Sequence, residues 1–319
     1  LSAAPAEAKL LSMRLAASAA LLLTAASLQG AHDLGLILRR VSEEAEVFRV
    51  MAPRVVARET LRQKARKKRS RFRIRVGEAA LKPSPPKFQT RVIVSEYGFS
   101  TLKEAPEALL EVRQVISVDG RKITSRRKAR DTLTLGLLNQ DDRAKKRMLK
   151  QFEKLGLRGA ATDFGQLILL FRRTNLGRYR FRIERRERLR QNTALVLHYE
   201  QKEGPEAFTI FEGRQAVHAR LQGELWVRET DYVPLRITVR TEQPSEKYTI
   251  VHEGRVDYAT SRFGVLLPAQ VAYRKSADGE LLVENTASYE EFHMFTVESA
   301  IEFPASEAAA PPPTAPPPP

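Results

Sequence analysis

Residues 221–274 read LQGELWVRETDYVPLRITVRTEQPSEKYTIVHEGRVDYATSRFGVLLPAQVAYR, and this stretch decides the fold. It divides into strand-like runs, Leu221–Glu229, Pro234–Thr241, Tyr248–Tyr258 and Val265–Arg274. Turn formers separate them: Thr230-Asp231, Pro244-Ser245 and the segment Ser261 to Gly264. Strands joined by such short turns imply antiparallel neighbours, because a parallel pair needs a long crossover. The pattern continues outward in both directions. Downstream, Asp278-Gly279 leads into Leu281–Phe295, and Val297–Phe303 follows. Upstream lie Leu195–Glu200, then Gly204-Pro205, Phe208–Phe211 and Gly213. Before these, Tyr179, Phe181 and Ile183 alternate with Arg178, Arg180 and Arg182, which gives one apolar and one arginine face. No helix interrupts the run, so a parallel doubly wound sheet is excluded.

Helical signals gather upstream. From Ser125 to Leu157 the chain reads as two helices with Gly136 and Asn139 between them. Asp163 and Gln166 fit a capping pair for a third, through QLILLF at Gln166–Phe171, and an all-apolar helix must be buried against the sheet. Earlier still, strands are expected at Thr90–Ser95 and Leu109–Val118, the latter closed by a turn at Asp119-Gly120. Leu34, Ile37, Leu38, Val41, Ala45 and Phe48 form one stripe of a helix capped by Asp33. Pro53 breaks it, and Val55, Val56 and Leu61 read as a second short helical stretch. Phe72, Ile74 and Val76 then alternate with arginines as a strand, and Pro83-Ser84-Pro85-Pro86 marks a linker. The expected fold is α+β: a curved antiparallel β-sheet or half-open β-barrel with helices packed on one side, plus an N-terminal helical region. Its parts are upstream residues and a signal peptide (1–31), an N-terminal helical region ending in a basic segment (32–80), a β-rich domain (87–304) with a helical insertion (125–171), and a Pro-rich tail (305–319).

The compartment follows from the ends. Met13-Arg14 opens the apolar run Leu15–Leu28, followed by the small residues Gly30 and Ala31. A basic start, about 7–15 apolar residues and a small-residue exit are the parts of a secretory signal. The run is shorter than the roughly 20 residues that span a bilayer. The expectation is an exported protein of periplasm or cell envelope, with Met13 as the native start. With no cysteine, disulfides, cysteine metal sites and thiol nucleophiles are excluded. Ala308–Pro319 can bury little and reads as an extended polyproline-type tail.

Charge is concentrated. The chain carries +16, and two stretches supply the surplus of segment 32–304. Residues 61–75 hold nine Lys or Arg and no acid, and residues 172–190 hold nine Arg against Glu184 and Glu187. The rest of that segment sums to zero. Arg66, Lys67, Lys68, Arg69, Arg71 and Arg73 with Arg178, Arg180 and Arg182 form the expected anionic-surface patch. Strand period places Phe72, Tyr179 and Phe181 on the opposite face from the arginines, which weakens them as base-stacking platforms. The same arginines also suit an edge strand charged against aggregation.

Catalytic constellations are missing. There is no G-x-S-x-G, H-E-x-x-H, G-x-x-x-x-G-K-[ST] or G-x-G-x-x-G motif in strand context. His32, His198, His218, His252 and His293 are scattered, and Glu290-Glu291 and Asp141-Asp142 are sequence neighbours whose side chains diverge. Asp163 is explained as a helix cap. No catalytic residue, metal site or cofactor is expected.

The order of features in 221–274 resembles a known family. A strand with Trp, an acidic turn, a Pro-led strand, a V-x-Y strand (Val256–Tyr258) and G-x-x-L-P (Gly264–Pro268) resemble the β-core of exported outer-membrane lipoprotein carrier and sorting proteins. VRQVISVDGR at Val112–Arg121 looks like uncharacterised exported bacterial proteins of this type. The resemblance implies a half-open barrel with a helical lid, holding acyl chains in an apolar concavity. It places Trp226, Leu235, Ile237, Tyr258, Leu267 and Tyr273 around that cavity, whereas core packing is the alternative for the same residues. The expected function is non-enzymatic binding of lipid or a lipidated protein. A structural or adaptor module docking to anionic envelope polymers or partner proteins is the alternative. A nucleic-acid binder is a third reading, open only if residues 13–31 are not a signal; no nucleic acid is otherwise expected.

Overall fold

The structure, a computed structural model, describes residues 33–67, 85–105, 107–139, 142–160, 162–203, 208–212, 215–244 and 248–295. The expected signal segment, Lys68–Val76 with its arginines, the strand Val297–Phe303 and the Pro-rich tail lie outside the described residues. The chain divides into two compact units, Leu1–Ile37 and Leu38–Pro319. Of the first, Asp33–Ile37 are described and open a helix. The Asp33 carboxylate accepts the Gly35 N–H at 2.7 Å. This is the capping that its position predicts.

That helix, α1, spans Leu34–Met51. In the second unit an eleven-stranded antiparallel sheet and a separate two-stranded hairpin follow it. The strands are β1 (Val55–Arg66), β2 (Phe88–Thr101), β3 (Leu109–Val118), β4 (Arg121–Lys122), β5 (Tyr179–Leu189), β6 (Asn192–Gln201), β7 (Phe208–Glu212), β8 (Gln215–Ala219), β9 (Gln222–Arg228), β10 (Pro234–Pro244), β11 (Thr249–Thr260), β12 (Leu266–Ala277) and β13 (Glu280–Met294). Eleven of them lie in the order β4-β3-β2-β1-β13-β12-β11-β10-β9-β6-β5, and β7 and β8 form a separate hairpin. The run of hairpins from β9 to β13 is the meander expected from residues 221–295. Asp119 (φ 50°) precedes Gly120 (φ 77°), and Asp278 (φ 47°) precedes Gly279 (φ 80°). Both pairs take the left-handed conformations of tight hairpin turns. The terminal strands β4 and β5 do not pair with each other, so the sheet is open rather than a closed barrel.

Two segments depart from their sequence readings, the first of them β1. Val55–Arg66 is a strand rather than a helix, and it sits between β2 and β13. The reason is its inward row, which runs Ala57, Glu59, Leu61, Gln63 and buries two polar residues. Apolar alternation is therefore broken by residues whose partners, Arg113 and Asn285, lie far along the chain.

The helical insertion begins as expected. Helix α2 (Arg126–Leu138) is capped by the Ser125 hydroxyl, which accepts the Lys128 N–H at 3.3 Å, and α3 spans Arg143–Lys154. Leu133 and Leu137 of α2 and Ala144 of α3 pack with Val56 and Val112 of the sheet. Gly98 lies directly under Leu137. The third expected helix is instead a five-residue 3-10 turn, Leu167–Phe171, without a side-chain cap. Its apolar residues are buried, Ile168 and Phe171 completely. So short a run cannot satisfy the ends of an α-helix, and the tighter turn serves.

Candidate functional site

The sheet curls around the segment that precedes β5. Gly165 shows this most directly. A Cβ there would lie 2.5 Å from the Tyr97 hydroxyl (β2), 2.9 Å from Glu111 Oε1 (β3) and 3.3 Å from Pro268 Cγ (β12). β3 and β12 are four strands apart. In a flat sheet that is about 19 Å, so the strands must bend to bring these groups to one point. Residues 157–160 and 162–171 thus fill the concave face like a plug. The Tyr258 hydroxyl donates to the Gly165 carbonyl and accepts the Ile168 N–H, each at 3.0 Å. Phe164 lies on Gly254, where a Cβ would come within 2.4 Å of its ring, and stacks beside Tyr273 at 5.1 Å. Phe171 completes an aromatic cluster with Tyr179, Phe181 and Tyr199. From α1, Phe48 meets Phe99 at 5.2 Å and Tyr258 at 6.5 Å.

Polar residues fasten the plug. Gln63 and Asn285, paired across β1 and β13, both donate to the Arg158 carbonyl, at 2.8 and 2.9 Å. Deeper, Arg113 donates to Glu59 at 2.9 Å and to Glu111 at 2.6 Å, and the Tyr289 hydroxyl donates to Glu59 at 3.0 Å. Lys145 of α3 donates to the Glu111 carbonyl at 3.0 Å and pairs with Asp163 in the plug. Asp163 therefore anchors an ion pair and is not the helix cap that its spacing suggests. All five ionisable residues are at most 8% exposed. Three carboxyls face two cations, and Glu111 takes up the mismatch. Burial raises its pKa to about 7, with Arg113 opposing that shift and Asp163 reinforcing it. Burial lowers the Lys145 pKa against the pull of Asp163. A void of about 20 Å³ lies between this cluster and the plug. That is room for a single water.

At the rim the plug leaves a groove of about 390 Å³. Its floor is apolar: Leu109 and Leu110 at the start of β3 face Leu167, Leu169 and Leu170 of the 3-10 turn. Leu110, Leu169 and Leu170 remain half-buried. Arg172 stands at its mouth, paired with Glu46 and with Glu107, the latter at 2.5 Å. The Gln166 Oε1, also in the lining, is buried without a hydrogen-bond partner among the described residues. Sequence alone does not single out these leucines, because a groove formed by segments far apart in the chain has no local signature.

The residues singled out from sequence fall in several places. Ile237, Tyr258 and Tyr273 lie on the concave face under the plug and α1, all at most 4% exposed. Trp226 and Leu235 sit together on the opposite face with Ala194 and Val196. There the Arg185 and Arg236 guanidinium groups lie over the Trp226 ring, at 5.8 and 5.6 Å from its centre. Both are within the range of cation–π attraction. Leu267 is buried opposite Ala259, and its neighbour Pro268 points toward Gly165. Of the basic patch, Arg66 pairs with Glu280 at 2.5 Å, and Lys67 ends the described part of that stretch. Lys68, Arg69, Arg71 and Arg73 lie outside the described residues. Arg178, Arg180 and Arg182 are exposed, while Tyr179 is buried and Phe181 half-buried behind them. A bulge between Ile183 and Arg185 then changes which residues face outward, so Arg186 and Arg188 fall on the other side from Arg180 and Arg182.

His252 is buried with Nδ1 at 2.8 Å from the Tyr273 hydroxyl, and His198 lies on the convex face. No group of three metal-ligating side chains occurs among the described residues, and none of their helices is long and apolar enough to cross a membrane.

The fold defines a class: open, curled antiparallel sheets with helices and an internal covering segment. No family model and no curated protein matches the sequence. Among solved structures, the chain is similar to a LolA-superfamily protein from Nitrosomonas europaea, at 11% identity and TM-score 0.30, covering 84% of this chain and 96% of that one. It is similar to a DUF1329 family protein from Desulfovibrio piger, at 10% identity and TM-score 0.33, covering 81% and 92%. An outer membrane lipoprotein-sorting protein domain from Vibrio parahaemolyticus gives 9% identity and TM-score 0.32, covering 83% and 95%. Likenesses of this degree transfer no residue role and no activity to this chain.

Proposed function

We propose that this chain is a non-enzymatic protein of the cell envelope that binds an amphiphile, a lipid or the lipid part of a lipidated protein. The rim groove carries this reading. Five leucines converge there around about 390 Å³, and a charged residue flanks the entrance. That volume is within the range of small-ligand sites. An acyl chain entering between Leu110 and Leu170 would run toward the plug, and displacement of the plug would open the concave face over Ile237, Tyr258 and Tyr273. The export signal read at residues 13–31 supports the compartment. The check is native mass spectrometry of the purified protein together with displacement of a fluorescent fatty-acid probe. The wild type should bind the probe, and Leu110→Asp with Leu170→Asp should weaken binding at least tenfold with the melting temperature retained. Absence of both copurified lipid and probe binding would overturn this reading.

One observation favours a second reading. On the concave face the described residues leave room for only a water, so the interior is a solid core as it stands. A structural or adaptor module would have such a core and would bind partners through its surface alone. Failure of the lipid experiment would leave this alternative.

A further inference from the structure

Charge on α3 is arranged against the helix's own interest. Its buried side is Ala144, Lys145, Met148, Leu149 and Phe152. Its exposed side carries Arg143, Lys146, Arg147, Lys150 and Lys154 against a single acid, Glu153. Arg147, Lys150 and Lys154 are spaced i, i+3 and i+7, so they stand in one row where like charges repel. None of the three has an ion-pair or hydrogen-bond partner among the described residues. The preceding helix adds to the surplus. Arg126, Arg127 and Lys128 occupy the first turn of α2 without an acid on the helix, where its dipole disfavours cations, and of the three Arg126 is held by Glu96 and Glu291 from the sheet. Over residues 121–154 twelve Lys or Arg meet only four acids. The zero sum outside the two basic stretches therefore conceals a third basic region, whose surplus is offset by acids elsewhere in the sequence.

Beneath the row lies a groove of about 460 Å³ between α2, α3 and β3. Val112, Leu133, Ala144 and Met148 form its apolar floor, and Arg147, Lys150 and Lys154 line its open side. No residue lines both this groove and the rim groove. We infer that the α2–α3 hairpin is a docking surface for the phosphate headgroups of anionic phospholipids in a bilayer. Charge complementarity selects the partner. Two of the three cations are lysines, point charges on flexible stems that suit phosphates at varying positions better than a fixed carboxylate geometry. The apolar floor beside them meets the glycerol region of a lipid whose phosphate the cations hold. An acidic peptide would match the charge but would leave its backbone groups facing an apolar floor. Arg178, Arg180 and Arg188, at and just before β5, give a control, since they are exposed basic residues that do not line this groove.

Sedimentation of the purified full chain with vesicles tests the inference. Phosphatidylcholine vesicles with phosphatidylglycerol should carry the protein down, with binding that weakens as salt is added, and phosphatidylcholine alone should not. Each basic residue at such a surface contributes about fivefold in partitioning, so R147Q/K150Q/K154Q should lose about a hundredfold. R178Q/R180Q/R188Q should partition like the wild type. Lys150→Glu alone gives a loss in the same direction should the triple variant misfold. Retained binding by the α3 variants, loss in the β5 variant, or equal binding to neutral vesicles would overturn the proposal. So would competition by soluble polyglutamate as effective as vesicles, which would mark an acidic-peptide surface instead.

Discussion

Gly165 carries more of the architecture than any large residue, because three strands converge where its side chain would be. Gly165→Ala should cost about 1–3 kcal/mol as Tyr97, Glu111 and Pro268 are forced apart, read as a lower urea midpoint with an unchanged slope. Beside it, Glu111 gives a pH dependence with a definite sign. Its carboxyl has an ordinary value of 4.5 and about 7 in the folded protein. The folded state therefore holds the proton more tightly, and this group's contribution is fully present below about pH 4.5 and lost as pH rises to about 7. Wild-type stability should decline across that window relative to Glu111→Gln by about 3 kcal/mol, measured by urea unfolding of both proteins at pH 5 and pH 8. None of this is legible in the sequence. Glu111, Arg113 and Lys145 read as ordinary charged residues and Asp163 as a helix cap, since nothing local distinguishes a buried charge from a solvated one. The inward burial of Tyr179, and partly of Phe181, is legible, because a strand's period of two assigns its faces without knowledge of neighbours.

At the scale of elements, legibility follows regularity. The hairpins from β9 to β13 repeat alternation and turn chemistry, so the sequence places them within a few residues. The plug between Leu157 and Phe171 has neither period, and only its apolar run announces that it is buried. β1 fails for the opposite reason: its period exists, but Glu59 and Gln63 stand where apolar residues would signal it. The arginine stripe on β5 acquires its meaning from position. β5 is the edge strand of the sheet, and exposed Arg180 and Arg182, with Arg178 just before the strand and a bulge after Ile183, are features that discourage another chain from pairing there. Arg180→Val with Arg182→Val should leave the monomer's melting temperature within a few degrees yet raise its association at micromolar concentration, measured by light scattering. A variant that stayed monodisperse would remove edge protection as the reason for these residues. The row on α3 escapes notice for a different reason. Charge summed over stretches hides it, and only the helical spacing of Arg147, Lys150 and Lys154 isolates the three.

For the whole molecule, the separation of surfaces is what the sequence could least provide. The rim groove joins residues near 110 to residues near 170, and the α2–α3 groove opens elsewhere with a different lining. A protein so arranged could meet a membrane with one region and hold an amphiphile with another, each independently removable by substitution. The sheet order has a further consequence. β1 is hydrogen-bonded along its length to β13, the last described strand, with Leu61 opposite Ala287. The first and last described strands are thus central neighbours, and every described strand from β2 to β12 must be synthesised before they can meet. Pairings of such long sequence separation form late. Until Glu280–Met294 leaves the ribosome, β1 has one bare flank and the concave face lacks a wall. The sheet is consequently completed by its last described hairpin, and its two halves, β4 to β1 and β12 to β5, stay unjoined until then.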